Sequence, residues 1–137
     1  ALIHDLAEAL VGDIDFIEIT KGTITKEEKS KMEYNAIRQI VNTLGGENGE
    51  EIQSLWCEYE EGTTEEARYI KALDKIETLL QLTETGHVIF DVPEIILNYA
   101  DKAVSNFPAL FSLLYEVKKR LKVEFEKGGF EWKEEYN

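Results

Sequence analysis

The segment HDLAEALVGD, residues 4–13, places one imidazole and three carboxylates within ten residues. His4 and Asp5 are adjacent, Glu8 follows, and Asp13 comes directly after Gly12. Ile3, Leu6, Ala7, Leu10 and Val11 lie between and around them at the spacing of a packed helix. On such a helix His4, Asp5 and Glu8 project from one face within a single turn. A His beside an Asp offers one imidazole nitrogen and one carboxylate oxygen. That mixture suits divalent Mn, Fe, Co or Zn rather than Ca. Two adjacent ligands do not complete a site, so others must come from elsewhere in the chain. A packed or surface histidine among solvated carboxylates has the same spacing, and this plainer alternative stays open.

The second candidate ligand is Asp74, in YIKALDKIETLL. It falls mid-helix between Leu73 and Ile76 rather than at an N-cap, where Asp is usually explained. An Asp among apolar neighbours needs a cationic partner or costs several kcal/mol (about 3–5 when a buried pair is broken). Lys71 precedes it by three residues, so an intrahelical ion pair competes with metal ligation as the explanation. Glu58 sits between Trp56 and Tyr59 on a predicted helix, where a solvated face is the ordinary reading. His87, after Gly86, reads as a structural loop histidine.

The elements that must position these residues read as all-α. Residues 2–11 have a helical pattern that stops at Gly12-Asp13. Residues 14–24 are β-branched and irregular and read as a loop, with FIEIT as a possible short strand. Thr25 with Glu28 forms a capping box, opening a helix with Tyr34, Ile37, Val41 and Leu44 on one stripe, which ends at Gly45-Gly46. Residues 50–60 form a short amphipathic helix through Ile52, Leu55, Trp56 and Tyr59. Thr63 to Glu66 reads as a second capping box. The long helix it opens runs to about Thr85, with Ala67, Ile70, Leu73, Ile76 and Leu80 facing inward. Asp91 with Pro93 starts a further helix, buried through Ile95, Ile96, Tyr99 and Ala103. The last helix follows Asn106 and Pro108 and buries Leu110, Phe111, Leu114, Val117 and Leu121. Lys118, Lys119, Arg120 and Lys122 complement its dipole. Residues 126–137 read as a tail whose aromatics could pack on a second subunit.

Composition narrows the function classes. The chain has 137 residues, 43% of them apolar, enough for one domain with a real core, and it is read as a single domain over 1–137. A net charge of −13 argues against a nucleic-acid surface. It leaves room for a small anionic substrate, because one bound divalent ion reverses the local field. No run of 18 apolar residues occurs, so no membrane span is expected. No basic leader with an apolar core is visible. The lone Cys57 excludes an internal disulfide and fits a reducing, cytoplasmic compartment. The chain opens on Ala rather than Met and inside an apparent helix, which reads as the C-terminal part of something longer.

IHDLAEALVGDI, together with LWCEYEEGTTEEARYIKALDKIE, resembles the HD-domain metal-dependent phosphohydrolases. Within them it is similar to the 5'-deoxynucleotidase branch that includes the eukaryotic HD-domain-containing protein 2. The similarity covers about residues 1–85, and the pairing of HD-x-x-E-x-x-x-G-D with L-W-x-E-Y and a later K-x-L-D is far more specific than HD alone. The resemblance implies a helical bundle of about six helices, here without its N-terminal helices. It implies one divalent metal on His4, Asp5 and Asp74, with the family's first His absent from this chain. It places Glu8 near the attacking water and leaving group as a catalytic residue. Asp13 would be a second catalytic residue that also helps set the substrate, and Glu58 would line the pocket and bind substrate. A phosphate- and sugar-contacting Arg-aromatic pair of the family lies upstream. Relatives usually carry a Pro-containing loop after Gly-Asp, where this chain has DFIEITKGTI, so the pocket rim differs.

The expected activity is therefore hydrolysis of (deoxy)nucleoside 5'-monophosphates by a homodimer, with no nucleic-acid or membrane partner. Three rivals remain. One is an HD phosphohydrolase of a triphosphate, a cyclic dinucleotide or (p)ppGpp. Another is a non-catalytic acidic helical interaction module. The third is a metal hydrolase unrelated to nucleotides.

Overall fold

The computed structural model describes residues 1–14, 16–86, 96 and 98–136; the expected helix start at Asp91-Pro93, Ile95 and the loop histidine His87 lie outside them. Regular structure is helical throughout, and no strand occurs among the described residues. The elements are α1 (Glu8–Val11), α2 (Phe16–Thr20), α3 (Lys26–Leu44), α4 (Gly46–Glu61), α5 (Glu65–Thr85), α6 (Asp101–Val104) and α7 (Phe111–Lys127). Short 3₁₀ turns occupy Pro108–Leu110 and Glu134–Tyr136. None of the described helices is long and apolar enough to cross a membrane. The chain divides into two units, Ala1–Ala67 and Arg68–Asn137.

In the first unit, α3 packs against α4 and against α1. Its core is Ala7, Ala36, Ile37 and Trp56, flanked by Ile3, Leu6, Val11, Val41, Ile52 and Cys57. The Thr25–Glu28 capping box forms as the sequence predicts. Both partners of that box are local, so nothing distant has to agree with it. The α3 stripe is narrower than its apolar letters suggest: Tyr34 and Leu44 are exposed, while Glu33 is buried. Gly45 has φ +64° and donates to Val41, so α4 begins at Gly46, four residues before the expected start. Gly49 then lies so close to α3 that a Cβ there would sit 2.9 Å from the Val41 carbonyl oxygen.

Two expected elements differ. Residues 1–7 are not a regular α-helix. His4, Leu6, Glu8 and Leu10 donate to the carbonyls of Ala1, Ile3, Asp5 and Ala7, the i to i+3 pattern of tighter turns. True α geometry begins only at Glu8. Residues 16–20, read as loop or strand, form a short helix closed by Thr23 and Gly22, which donate to Glu18 and Ile19. The propensity cost of β-branched residues is only tenths of a kcal/mol each (roughly 0.7 at most), which such closing bonds outweigh.

The second unit is built on α5 and α7. Ala72, Ile76 and Leu79 of α5 meet Leu114, Val117, Leu121 and Phe125 of α7, with Ala100, Val104, Phe107 and Leu110 completing the core. The deepest α5 stripe is thus rotated by about one position from the expected one, and Ile70, Leu73 and Leu80 are only half-buried. Phe111, expected inside, is exposed. Lys118 does not serve the helix dipole from solvent: it is buried and its Nζ lies 2.5 Å from Asp101 Oδ1. The expected tail is packed rather than free. Phe130 and Trp132 lie 5.6 and 5.7 Å from Phe125 between ring centroids, and Trp132 lies 5.7 Å from Tyr136, which is buried. These aromatics pack on the unit's own core.

Candidate functional site

The tight turns that open the chain decide how its first ionisable groups are aligned. With three residues per turn, Asp5 and Glu8 share a face, since side chains at i and i+3 eclipse. His4 stands on its own side and leans on α4: its ring meets Tyr59 edge-on, 5.0 Å between centroids at 66°. His4 Nδ1 is hydrogen bonded to the carbonyl of Ala1. That leaves Nε2 facing Asp5, 3.1 Å from Oδ2. With Nδ1 bonded to a carbonyl, Nε2 of the neutral ring and the carboxylate oxygen both present lone pairs, as two ligands of one cation do. Two ligand atoms at about 2.0–2.2 Å from a divalent ion stand about 3.0–3.5 Å apart, so this nitrogen–oxygen pair fits two corners of a metal site.

Gly12 explains the Gly-Asp pair. Its φ of +79° is a left-handed value that a residue with a Cβ rarely adopts, and its N–H donates to the Glu8 carbonyl at 2.8 Å. The chain therefore leaves α1 in a sharp turn that carries Asp13 back toward Glu8. Glu8 is half-buried, and its carboxyl is raised above the usual range. Burial is the main cause, followed by the Asp13 and Asp5 carboxylates; Lys29 opposes the shift and Glu33 adds to it. A carboxyl so placed holds a proton more readily than an exposed one, as proton-transfer chemistry requires. Asp5 and Asp13 are exposed, whereas His4 and Glu8 are half-buried.

Two residues went unnoticed in the sequence. Lys29 Nζ donates to the Ile14 carbonyl at 2.9 Å and lies 3.5 Å from Glu33 Oε1. Glu33 is buried, and burial raises its carboxyl despite the opposing Lys29 charge. The Lys-x-x-x-Glu spacing was readable as a helical pair. Its link to Ile14 was not, because it spans fifteen residues.

Glu58 has a structural partner. Thr64 Oγ1 donates to Glu58 Oε1 at 2.7 Å and accepts the Ala67 N–H at 3.2 Å. Thr64, not Thr63, therefore caps α5, and no Glu stands at its N3 position. Gly62, with φ +61°, turns the chain between α4 and that cap. Asp74 belongs to the second unit, half-buried on α5, where its backbone carbonyl accepts from Thr78 Oγ1.

The HD domain matches residues 1–104. The chain belongs to the HD-domain family. This HD-domain chain is 52% identical over 84 residues to the 5'-deoxynucleotidase HDDC2 of Dictyostelium discoideum, covering 61% of the chain and 42% of that protein. It is 42% identical over 84 residues to the Homo sapiens protein of the same name, covering 61% and 39%. It is 41% identical over 88 residues to the 5'-deoxynucleotidase hdd1 of Schizosaccharomyces pombe, covering 61% and 42%. The HD-domain chain thus spans about two-fifths of the length of these curated relatives. No solved structure matches it.

Proposed function

We propose that the protein is a metal-dependent phosphohydrolase that releases phosphate from nucleoside 5'-monophosphates, deoxynucleotides foremost. The observation that carries this reading is the half-buried Glu8, its carboxyl raised, on the same face as Asp5 and beside the His4–Asp5 pair. The names of the relatives supply the substrate class.

His4, Asp5 and Asp74 are the residues assigned to a divalent ion, Mn, Co, Fe or Zn. When bound, such an ion supplies Lewis-acid polarisation of a phosphoryl oxygen and eases deprotonation of water. The protein's own groups do the rest. Glu8 accepts the proton of the attacking water and returns it to the departing 5'-oxygen, giving a nucleoside and orthophosphate. Asp13, exposed on the turn after Gly12, orients the substrate. Glu58 is assigned to the pocket wall, with one oxygen held by Thr64. The reading extends to a cytoplasmic homodimer.

The test is phosphate release by the full-length protein from deoxy- and ribonucleoside 5'-monophosphates with Mn or Co. Glu8→Ala is expected to lower turnover by about 10²–10⁴-fold. Full turnover in that variant overturns the role of Glu8. Release from no nucleotide by a protein that still binds metal overturns the substrate class. Light scattering at micromolar protein reads the dimer directly.

A further inference from the structure

The turn that carries Asp13 has little of its own to hold it. Gly12 contributes no side chain, and the space above it is open. Asp13 is exposed, and Ile14 is the first residue of the turn to be buried. The Ile14 carbonyl is met by the Lys29 ammonium from α3, at 2.9 Å. A lysine stem is flexible and its ammonium is normally solvated. Here both are constrained: the Lys29 side chain is only 25% exposed, and Glu33, one turn along α3, keeps its carboxylate 3.5 Å from the same nitrogen at 11% exposure. Glu33 takes no part in the chemistry proposed above, yet it is a buried carboxylate, which is costly unless partnered. Lys29 answers that cost and fixes the loop, and Glu33 aims Lys29.

We propose that Lys29 is a positioning residue of this site: aimed by Glu33, it anchors the Ile14 carbonyl and so fixes the Gly12–Ile14 turn that presents Asp13 to the substrate. The proposal rests on the phosphohydrolase reading for its catalytic consequence, but the anchor itself is testable without turnover.

The test compares Lys29→Met, which keeps the stem and removes the donor, with Lys29→Arg, which restores a donor, in the full-length protein. Hydrogen exchange over residues 8–14 is measured beside exchange over the rest of α3. Lys29→Met is expected to speed exchange across 8–14 while α3 stays protected, and to raise KM for a nucleoside monophosphate about tenfold with kcat changed less than about threefold. Lys29→Arg is expected to recover both. Unchanged exchange over 8–14 in Lys29→Met overturns the anchor whatever the activity. Protection lost equally across α3 and α4, without recovery in Lys29→Arg, makes Lys29 a general stability residue and also overturns it. A kcat loss with unchanged KM overturns its link to Asp13. Wild-type protein without turnover sinks the phosphohydrolase reading alone, since the exchange comparison still decides the anchor.

Discussion

The ring of His4 meets the ring of Tyr59 edge-on at 5.0 Å, so the first sequence motif rests on the second. Trp56 of the same LWCEY segment is buried in one core with Ala7, and Tyr59 lies one turn further along α4. The helix that supplies core packing therefore also supplies a wall for the imidazole. Support of this kind orients the ring and narrows its motion, as a metal ligand in the proposed site requires.

Removing that wall should weaken metal binding without unfolding the unit. Tyr59→Leu keeps apolar bulk but loses the ring edge. Its affinity for Co or Zn, measured by calorimetry, should fall about tenfold, the low end of what lost outer support costs. A wild-type affinity would mean that the ring contact does not orient His4.

The electrostatics of Glu8 have a direct readout in metal-free protein. Its carboxyl should titrate above the ordinary value of 4.5, followed by carbon-detected NMR. Asp13→Asn removes a negative neighbour, so the midpoint should move down. Added Zn should move it down further, because a cation at Asp5 cancels the second repulsion. A midpoint that ignores both changes would leave burial as its sole cause.

Gly49 tests the close approach of α4 to α3. Gly49→Ala gains about 1 kcal/mol of helix propensity. Against this, a methyl group 2.9 Å from the Val41 carbonyl oxygen forces backbone to shift, and overpacking typically costs about 1–3 kcal/mol. A net loss of roughly 1 kcal/mol is expected in urea unfolding. A stabilised variant would mean that the two helices separate freely.

Thr64 joins two tasks, capping α5 and holding Glu58. Thr64→Ala should cost about 1 kcal/mol of stability in the same unfolding assay. Thr63→Ala, at the position the sequence pattern favoured as the cap, should cost less. The reverse order would restore Thr63 to that role.

Much of this was legible in the letters, and the exceptions share a cause. The Thr25–Glu28 box could be read because both partners sit within four residues. So could the helical periods of α3, α5 and α7 and the nearness of Asp5 to Glu8. What failed was whatever needed a partner far along the chain. The deepest α5 positions are Ala72 and Leu79, buried in one core with the α7 side chains, while Leu73 and Leu80 pack at its edge. Lys118 looked like a dipole charge because Asp101 lies seventeen residues earlier. At the site, Glu33 and Lys29 drew no notice because the Ile14 carbonyl that Lys29 meets lies fifteen residues away. The opening turns were misread for another reason: apolar spacing alone does not separate a tight i to i+3 run from an α-helix over so few residues.

The positions of the two tryptophans give the molecule a pair of built-in optical probes. Trp56 is buried in the core of the first unit, and Trp132 packs on Phe125 in the second. A single-tryptophan protein made by Trp132→Phe reports the melting of one unit, and Trp56→Phe that of the other. Whether Ala1–Ala67 and Arg68–Asn137 come apart in one cooperative step or two can thus be watched by emission wavelength alone, with no added label.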